Sequence, residues 1–87
     1  MLPRVKEDAT ARIGRIAGQV GGIKKMIDED RYCVEILHQI AAVRSALDQL
    51  GVNLLTGHLE SCVLSQDTCR HGDLLAEVKT ALSQFLK

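Results

Sequence analysis

His58 and Cys62 stand four residues apart in the stretch GHLESC, residues 57–62. An imidazole and a thiolate at i and i+4 share one helical face, close enough to hold a single ion between them. The pair alone also suits an ordinary core, where a hydrogen-bonded histidine and a small buried cysteine are common fillers. A third soft donor, Cys33, sharpens the question and makes the geometry demanding. Along one continuous helix, positions 33 and 58 are ~37 Å apart at ~1.5 Å per residue. One chain cannot close such a site, but an antiparallel second copy can. If two copies of the helix cross near Ala46 and Leu47, position 33 of one falls beside 58–62 of the other. Two-fold symmetry then gives two identical Cys-His-Cys sites, one at each end of the helix pair.

Two thiolates and an imidazole form a soft donor set, suited to Cu(I), Zn(II) or Ni(II). Three donors favour Cu(I), which accepts a trigonal site. Structural zinc normally takes four protein ligands, and the chain has no paired CxxC knuckles to supply them. Cys69 and His71 could add donors, although a solvent-exposed loop thiol is the simpler account of Cys69. Catalysis is not expected. A cysteine nucleophile needs a base and a pocket, and a helical stripe offers no cleft for a small-molecule substrate.

The elements that must carry these residues are helices. The only proline is Pro3, so nothing breaks a helix beyond the N-terminus. Ile13, Ile16, Val20, Ile23 and Ile27 recur at spacings of three and four, which predicts a first helix over about 5–28. The run DEDR at 28–31 interrupts it, with Asp30 a candidate N-cap for the next helix. Ile36, Ile40, Val43, Leu47, Leu50 and Leu54 then follow one another like a heptad seam, and His58 and Cys62 continue the stripe. Gly51 and Gly57 each cost ~1 kcal/mol of helix propensity, but neither adjoins a turn cluster, so one long helix is expected over about 31–63. The rival is a break at Gly51 that folds the chain back and brings Cys33 to Cys69; the apolar stripe, in phase through Gly51, favours the long helix. A polar loop at 65–73 leads to a short third helix over about 73–86.

With 87 residues the chain is one domain, 1–87, and aromatics make up only 2% of it. An aliphatic core of this kind suits packed helices, and small chains often gain stability by association. No secretory signal and no membrane-length apolar run is apparent. Three cysteines without a signal point to reduced thiols in the cytoplasm rather than a disulfide framework. Net charge is zero but unevenly placed. Residues 1–25 hold Arg4, Lys6, Arg12, Arg15, Lys24 and Lys25 against Glu7 and Asp8, while residues 26–62 are acidic. A basic end of this sort could meet an anion such as nucleic acid.

Three stretches, RIGRIAGQVGGIKKMI at 12–27, YCVEILHQIAAVRSAL at 32–47 and GHLESC at 57–62, together with the Cys…His-x-x-x-Cys spacing, resemble the CsoR/RcnR family of metal-sensing bacterial repressors, and its copper-sensing branch most closely. The resemblance covers nearly the whole chain. It implies an all-α fold of three helices per chain, paired as an antiparallel four-helix-bundle dimer and assembled as a dimer of dimers. It implies a repressor whose apo form binds operator DNA and is released by Cu(I) held between Cys33 of one protomer and His58 and Cys62 of its partner. Tyr32 matches the tyrosine that stands behind the copper ligands in such sensors. A glutamate is expected near position 78, where this chain has Val78, with Glu77 adjacent. Arg12 matches a DNA-contacting arginine of the family; Arg15, Lys24 and Arg44 are added from charge and position.

Alternatives on the same scaffold are a Ni(II) sensor and a thiol-based sensor of persulfides, electrophiles or formaldehyde. The nickel and cobalt sensors recruit further nitrogen donors, typically an N-terminal histidine, and no histidine precedes His38 here. Sulfide-responsive relatives lack the histidine that this chain has at 58. An alternative of another class is a cytosolic copper carrier that does not bind DNA.

Overall fold

The computed structural model describes the backbone of residues 1–64 and 71–86, and the side chains of residues 1–60 and 76–86. The described residues form three helices, α1 (Pro3–Asp28), α2 (Cys33–Leu64) and α3 (His71–Phe85). The all-α architecture agrees with the aliphatic periodicity. Among the described residues no helix is long and apolar enough to cross a membrane.

Pro3 opens α1, a position whose N–H has no partner within a helix and is no loss. The end of α1 is set by its backbone. Arg31 N–H donates to the carbonyl of Met26 at 2.9 Å and Asp30 N–H to that of Ile27 at 3.0 Å. This is a Schellman closure, and it requires the residue after the cap to adopt the left-handed region. Asp30 does so, at φ 53°, a conformation its short polar side chain tolerates better than most. Asp30 therefore terminates α1 and is not the N-cap of α2, which corrects the sequence expectation. The chain can start its second helix only after leaving that turn. Tyr32 takes the role instead, its carbonyl accepting the N–H of Glu35 at 3.0 Å and of Ile36 at 3.3 Å.

α2 runs through Gly51 and Gly57 without interruption. The hairpin alternative, with a break at Gly51, is thereby excluded. The third helix starts at His71 rather than 73, so Gly72 lies in its first turn; positions 65–70 of the expected loop, Cys69 among them, lie outside the described residues.

α1 and α2 pack antiparallel. Ile16, Val43 and Leu50 form the buried cluster, with Ala9, Ile23, Ala46 and Leu54 around it. At the open end of the pair, Val5 is buried against Gly57, where a Cβ would lie 2.7 Å from both valine methyls. The Phe85 ring at the end of α3 lies over Gly51 in the same manner.

This arrangement leaves much apolar surface uncovered. Ile13, Val20 and Ile27 are exposed along α1, and Leu37, Ile40 and Leu47 along α2. The heptad-like stripe of α2 is thus divided. Val43 and Leu50 face α1, while Ile40 and Leu47, each 44% exposed, do not. No described side chain is wholly withdrawn from solvent. The radius of gyration is 16.7 Å, against about 12 Å for a compact chain of this length. The principal extents are 52 × 27 × 14 Å, those of a long, flat body. The chain is a single layer of helices, and a layer has no interior of its own.

Candidate metal centre

Cys33 is the first residue of α2, and its thiol is free and exposed. Tyr32, beside it at the helix entrance, is 68% exposed. His58 lies 25 residues further along α2 and is also exposed. Position 62 falls one turn beyond His58, two residues before the helix ends; the Cys62 side chain lies outside the described residues. At ~100° of rotation per residue, positions 33, 40, 47, 58 and 62 fall within about 60° of one another around the helix. The candidate ligands and the uncovered Ile40 and Leu47 thus share one face.

The same face separates the donors by nearly the length of the helix. Unbroken α2 holds positions 33 and 58 ~37 Å apart at ~1.5 Å per residue. Among the described residues of one chain, no three His, Cys, Asp or Glu side chains gather where an ion could be held. The structure therefore places Cys33 and His58 on one face and does not bring them together within a chain.

Glu77 is exposed on α3 and Val78 half-buried. The helix turns a valine inward at 78 and leaves the neighbouring carboxylate in solvent.

The basic residues divide as well. Arg12 and Arg15 lie about 60° apart around α1, while Lys24 is about 180° from Arg15. Arg12 is half-buried and donates to Asp8 Oδ2 at 2.9 Å, and Lys24 to Asp28 Oδ2 at 2.8 Å. Arg15 and Arg44 are exposed and have no ion-pair partner among the described residues. Arg44 lies near Asp48, Val52 and Phe85 in a shallow cleft between α2 and the end of α3.

Two residues not singled out by the sequence join this map. Arg4 Nη2 reaches both carboxylate oxygens of Glu60 at 2.7 Å, the one ion pair between helices among the described residues. Arg4, Val5, Asp8, Asn53, Thr56, Gly57 and Glu60 line one cleft between α1 and α2. The signal for it was the glycine: a residue of poor helix propensity inside an apolar stripe marks the close approach of another chain segment.

Soft donors toward both ends of the long α2, with exposed arginines at Arg15 of α1 and Arg44 of α2, fit the frame of a metal-responsive regulator. The chain belongs to the family of metal-sensitive transcriptional repressors, which it matches over residues 5–84. It is 50% identical over 85 residues to the copper-sensing transcriptional repressor RicR of Mycobacterium tuberculosis, the match covering 94% of this chain and 88% of the relative. It is 42% identical over 82 residues to the copper-sensing transcriptional repressor CsoR of Bacillus subtilis, covering 94% of this chain and 79% of the relative. The transcriptional repressor RcnR of Citrobacter koseri is 36% identical over 85 residues, covering 97% and 94%. Among solved structures, the copper-sensing repressor CsoR with Cu(I) from Geobacillus thermodenitrificans superimposes with a TM-score of 0.83 at 38% identity, covering all of this chain and 92% of the other. The protein is accordingly a repressor and not an enzyme.

Proposed function

We propose that this protein is a Cu(I)-responsive repressor that holds operator DNA when free of metal and releases it when Cu(I) binds between two copies of the chain. The observation that carries this reading is the placement of positions 33, 58 and 62 on one side of an unbroken helix, toward its opposite ends, with Cys33, Ile40, Leu47 and His58 exposed there. An antiparallel partner seated on Ile40 and Leu47 covers that face and sets Cys33 of one protomer beside His58 and Cys62 of its partner. The pairing also removes from water the apolar side chains that a single layer leaves out.

The donors suit the ion. Two thiolates and one imidazole make a soft, three-donor set, and Cys33 and His58 are both exposed on the face that a second chain would cover. Cu(I), when bound, supplies a cross-link between the two helix ends. What the chain supplies is position: α2 is stiff over its 32 residues, so a bond at one end acts on the whole of it. Tyr32, adjacent to Cys33, and Glu77 of α3 are the residues we assign to hydrogen bonding around the site. DNA is held by Arg12 and Arg15 of α1, with Arg44 and Lys24 contributing charge. Surface ion pairs such as Arg12–Asp8 are worth at most ~1 kcal/mol, so a phosphate can replace Asp8 at little cost. Two copies paired again would present the basic α1 ends four times over one duplex.

The names of the RicR and CsoR relatives support copper as the signal. The test is an anaerobic Cu(I) titration of the protein bound to DNA from upstream of its own gene, with Ni(II) and Zn(II) in parallel. Release by Cu(I) at about one ion per chain is expected. Release by Ni(II) alone, or failure of the metal-free protein to shift DNA at low salt, overturns this assignment.

A further inference from the structure

The two candidate ligands on α2 flank a turn whose far side is gripped by α1. Glu60 lies between His58 and Cys62 in sequence but about 160° around the helix from both. There it receives Arg4 Nη2 at 2.7 Å on each carboxylate oxygen. One residue along α1, Val5 seats its methyls over Gly57, immediately before His58, with no space for even a Cβ at that position. One contact is ionic and the other steric, and they fall on consecutive residues of α1. Both hold the turn 57–60 from the side opposite the ligands.

That grip leads toward the arginines. Asp8 lines the same cleft as Arg4, Val5, Gly57 and Glu60, and it accepts from Arg12 Nε at 2.9 Å. α1 is an unbroken helix from Pro3 onward, so a shift of its first turn is carried to Arg12 and Arg15. We infer that Arg4 and Glu60 are the positioning pair through which the α2 turn bearing His58 and Cys62 moves the DNA-binding arginines of α1. The inference rests on the proposed Cu(I)-responsive function. When the ligands are drawn toward an ion, the turn rotates and Glu60 moves with it. Arg4 follows its carboxylate, and α1 is repositioned as a body. A ligand changes an equilibrium only through contacts that differ between its two states, and this pair is such a contact at the boundary of the two helices.

The experiment compares the ratio of DNA affinities without and with Cu(I) in wild type, R4Q, E60Q and the charge-swapped R4E/E60R. Amide hydrogen exchange of residues 3–10 and Cu(I) affinity by chelator competition are followed alongside. An exposed pair of this kind limits the effect to roughly 3–5-fold. The ratio should fall by that factor in both single variants and recover in the swap, with Cu(I) affinity changing little. Exchange in residues 3–10 should respond to Cu(I) in wild type and the swap and respond less in the single variants, which keep only the Val5–Gly57 contact. Unchanged ratios and exchange in R4Q and E60Q overturn the inference while leaving the function intact. A swap that fails to restore the ratio also overturns it, since Arg4 would then act on DNA directly. If wild type itself keeps its DNA when Cu(I) binds, the functional reading has failed first.

Discussion

Val5 and Gly57 interlock: a Cβ at position 57 would lie 2.7 Å from each valine γ-carbon and 3.2 Å from the valine Cβ. Valine cannot swing away, because its branched side chain is stiff at χ1. Gly57→Ala gains ~1 kcal/mol of helix propensity but overpacks the crossing by ~1–3 kcal/mol. Urea denaturation should show a net loss of about 1 kcal/mol, the difference between those two effects. The double variant V5A/G57A should be more stable than the two single losses predict, as contacting residues are coupled. Gly51→Ala should cost less. There the obstacle is the outer edge of the Phe85 ring, at 2.5 and 2.6 Å, on a residue 43% exposed and able to turn aside.

If the metal site spans two chains, it can be rebuilt from two defective ones. C33A alone and H58A/C62A alone should each lose tight Cu(I) binding. Mixed after unfolding and refolding together, they form a heterodimer with one complete site, because the intact Cys33 of one meets the intact 58 and 62 of the other. Chelator competition should recover up to about a quarter of the wild-type sites in an equimolar statistical mixture. No recovery, with mixed dimers verified by native mass spectrometry, rules out the shared site.

A helix layer with principal extents of 52 × 27 × 14 Å should owe much of its stability to its partner. The midpoint of thermal unfolding is expected to rise with protein concentration, as mass action requires when folding and association are linked. Leu47→Glu, which places a charge on the uncovered face of α2, should lower the mass seen by analytical ultracentrifugation or unfold the chain. An unchanged assembly and a concentration-independent midpoint would put the interface elsewhere.

The basic residues should separate in a salt titration of DNA binding. Arg15 is exposed near Arg12, and Lys24 lies on the opposite side of α1. Arg15→Ala should weaken binding and flatten the plot of log affinity against log salt by about 0.9 for each phosphate it no longer neutralises. Lys24→Ala should flatten the slope less, because Lys24 adds its charge from the side of α1 opposite Arg15. Equal effects of the two would mean that charge alone, without orientation, holds the DNA.

Much of this was legible in the residues. Isoleucines three and four apart are enough to specify α1, and the stripe from Ile36 to Leu54 carries α2 past Gly51 as expected. Asp30 misled because short polar residues serve both at N-caps and in left-handed C-terminal turns. Only the backbone bonds to Met26 and Ile27 distinguish the two. Arg4 and Glu60 escaped notice because they are 56 positions apart, and no local spacing rule connects them. The stripe itself read as one seam, yet Val43 and Leu50 face α1 while Ile40 and Leu47 do not.

Residue types and periodicity by themselves determined three helices and a soft donor set, because helical periodicity and ligand chemistry are local properties; that Cys33 and His58 of one chain stay apart was decided only by α2 running unbroken through Gly51. The tertiary structure decided which half of each apolar stripe is used within the chain and which is left uncovered. It also decided that the first turn of α1 grips α2 behind His58. Both depend on the register of α1 against α2, which is set by how Val5 fits Gly57 and Ile16 fits between Val43 and Leu50, and packing of that kind is a property of two surfaces in contact.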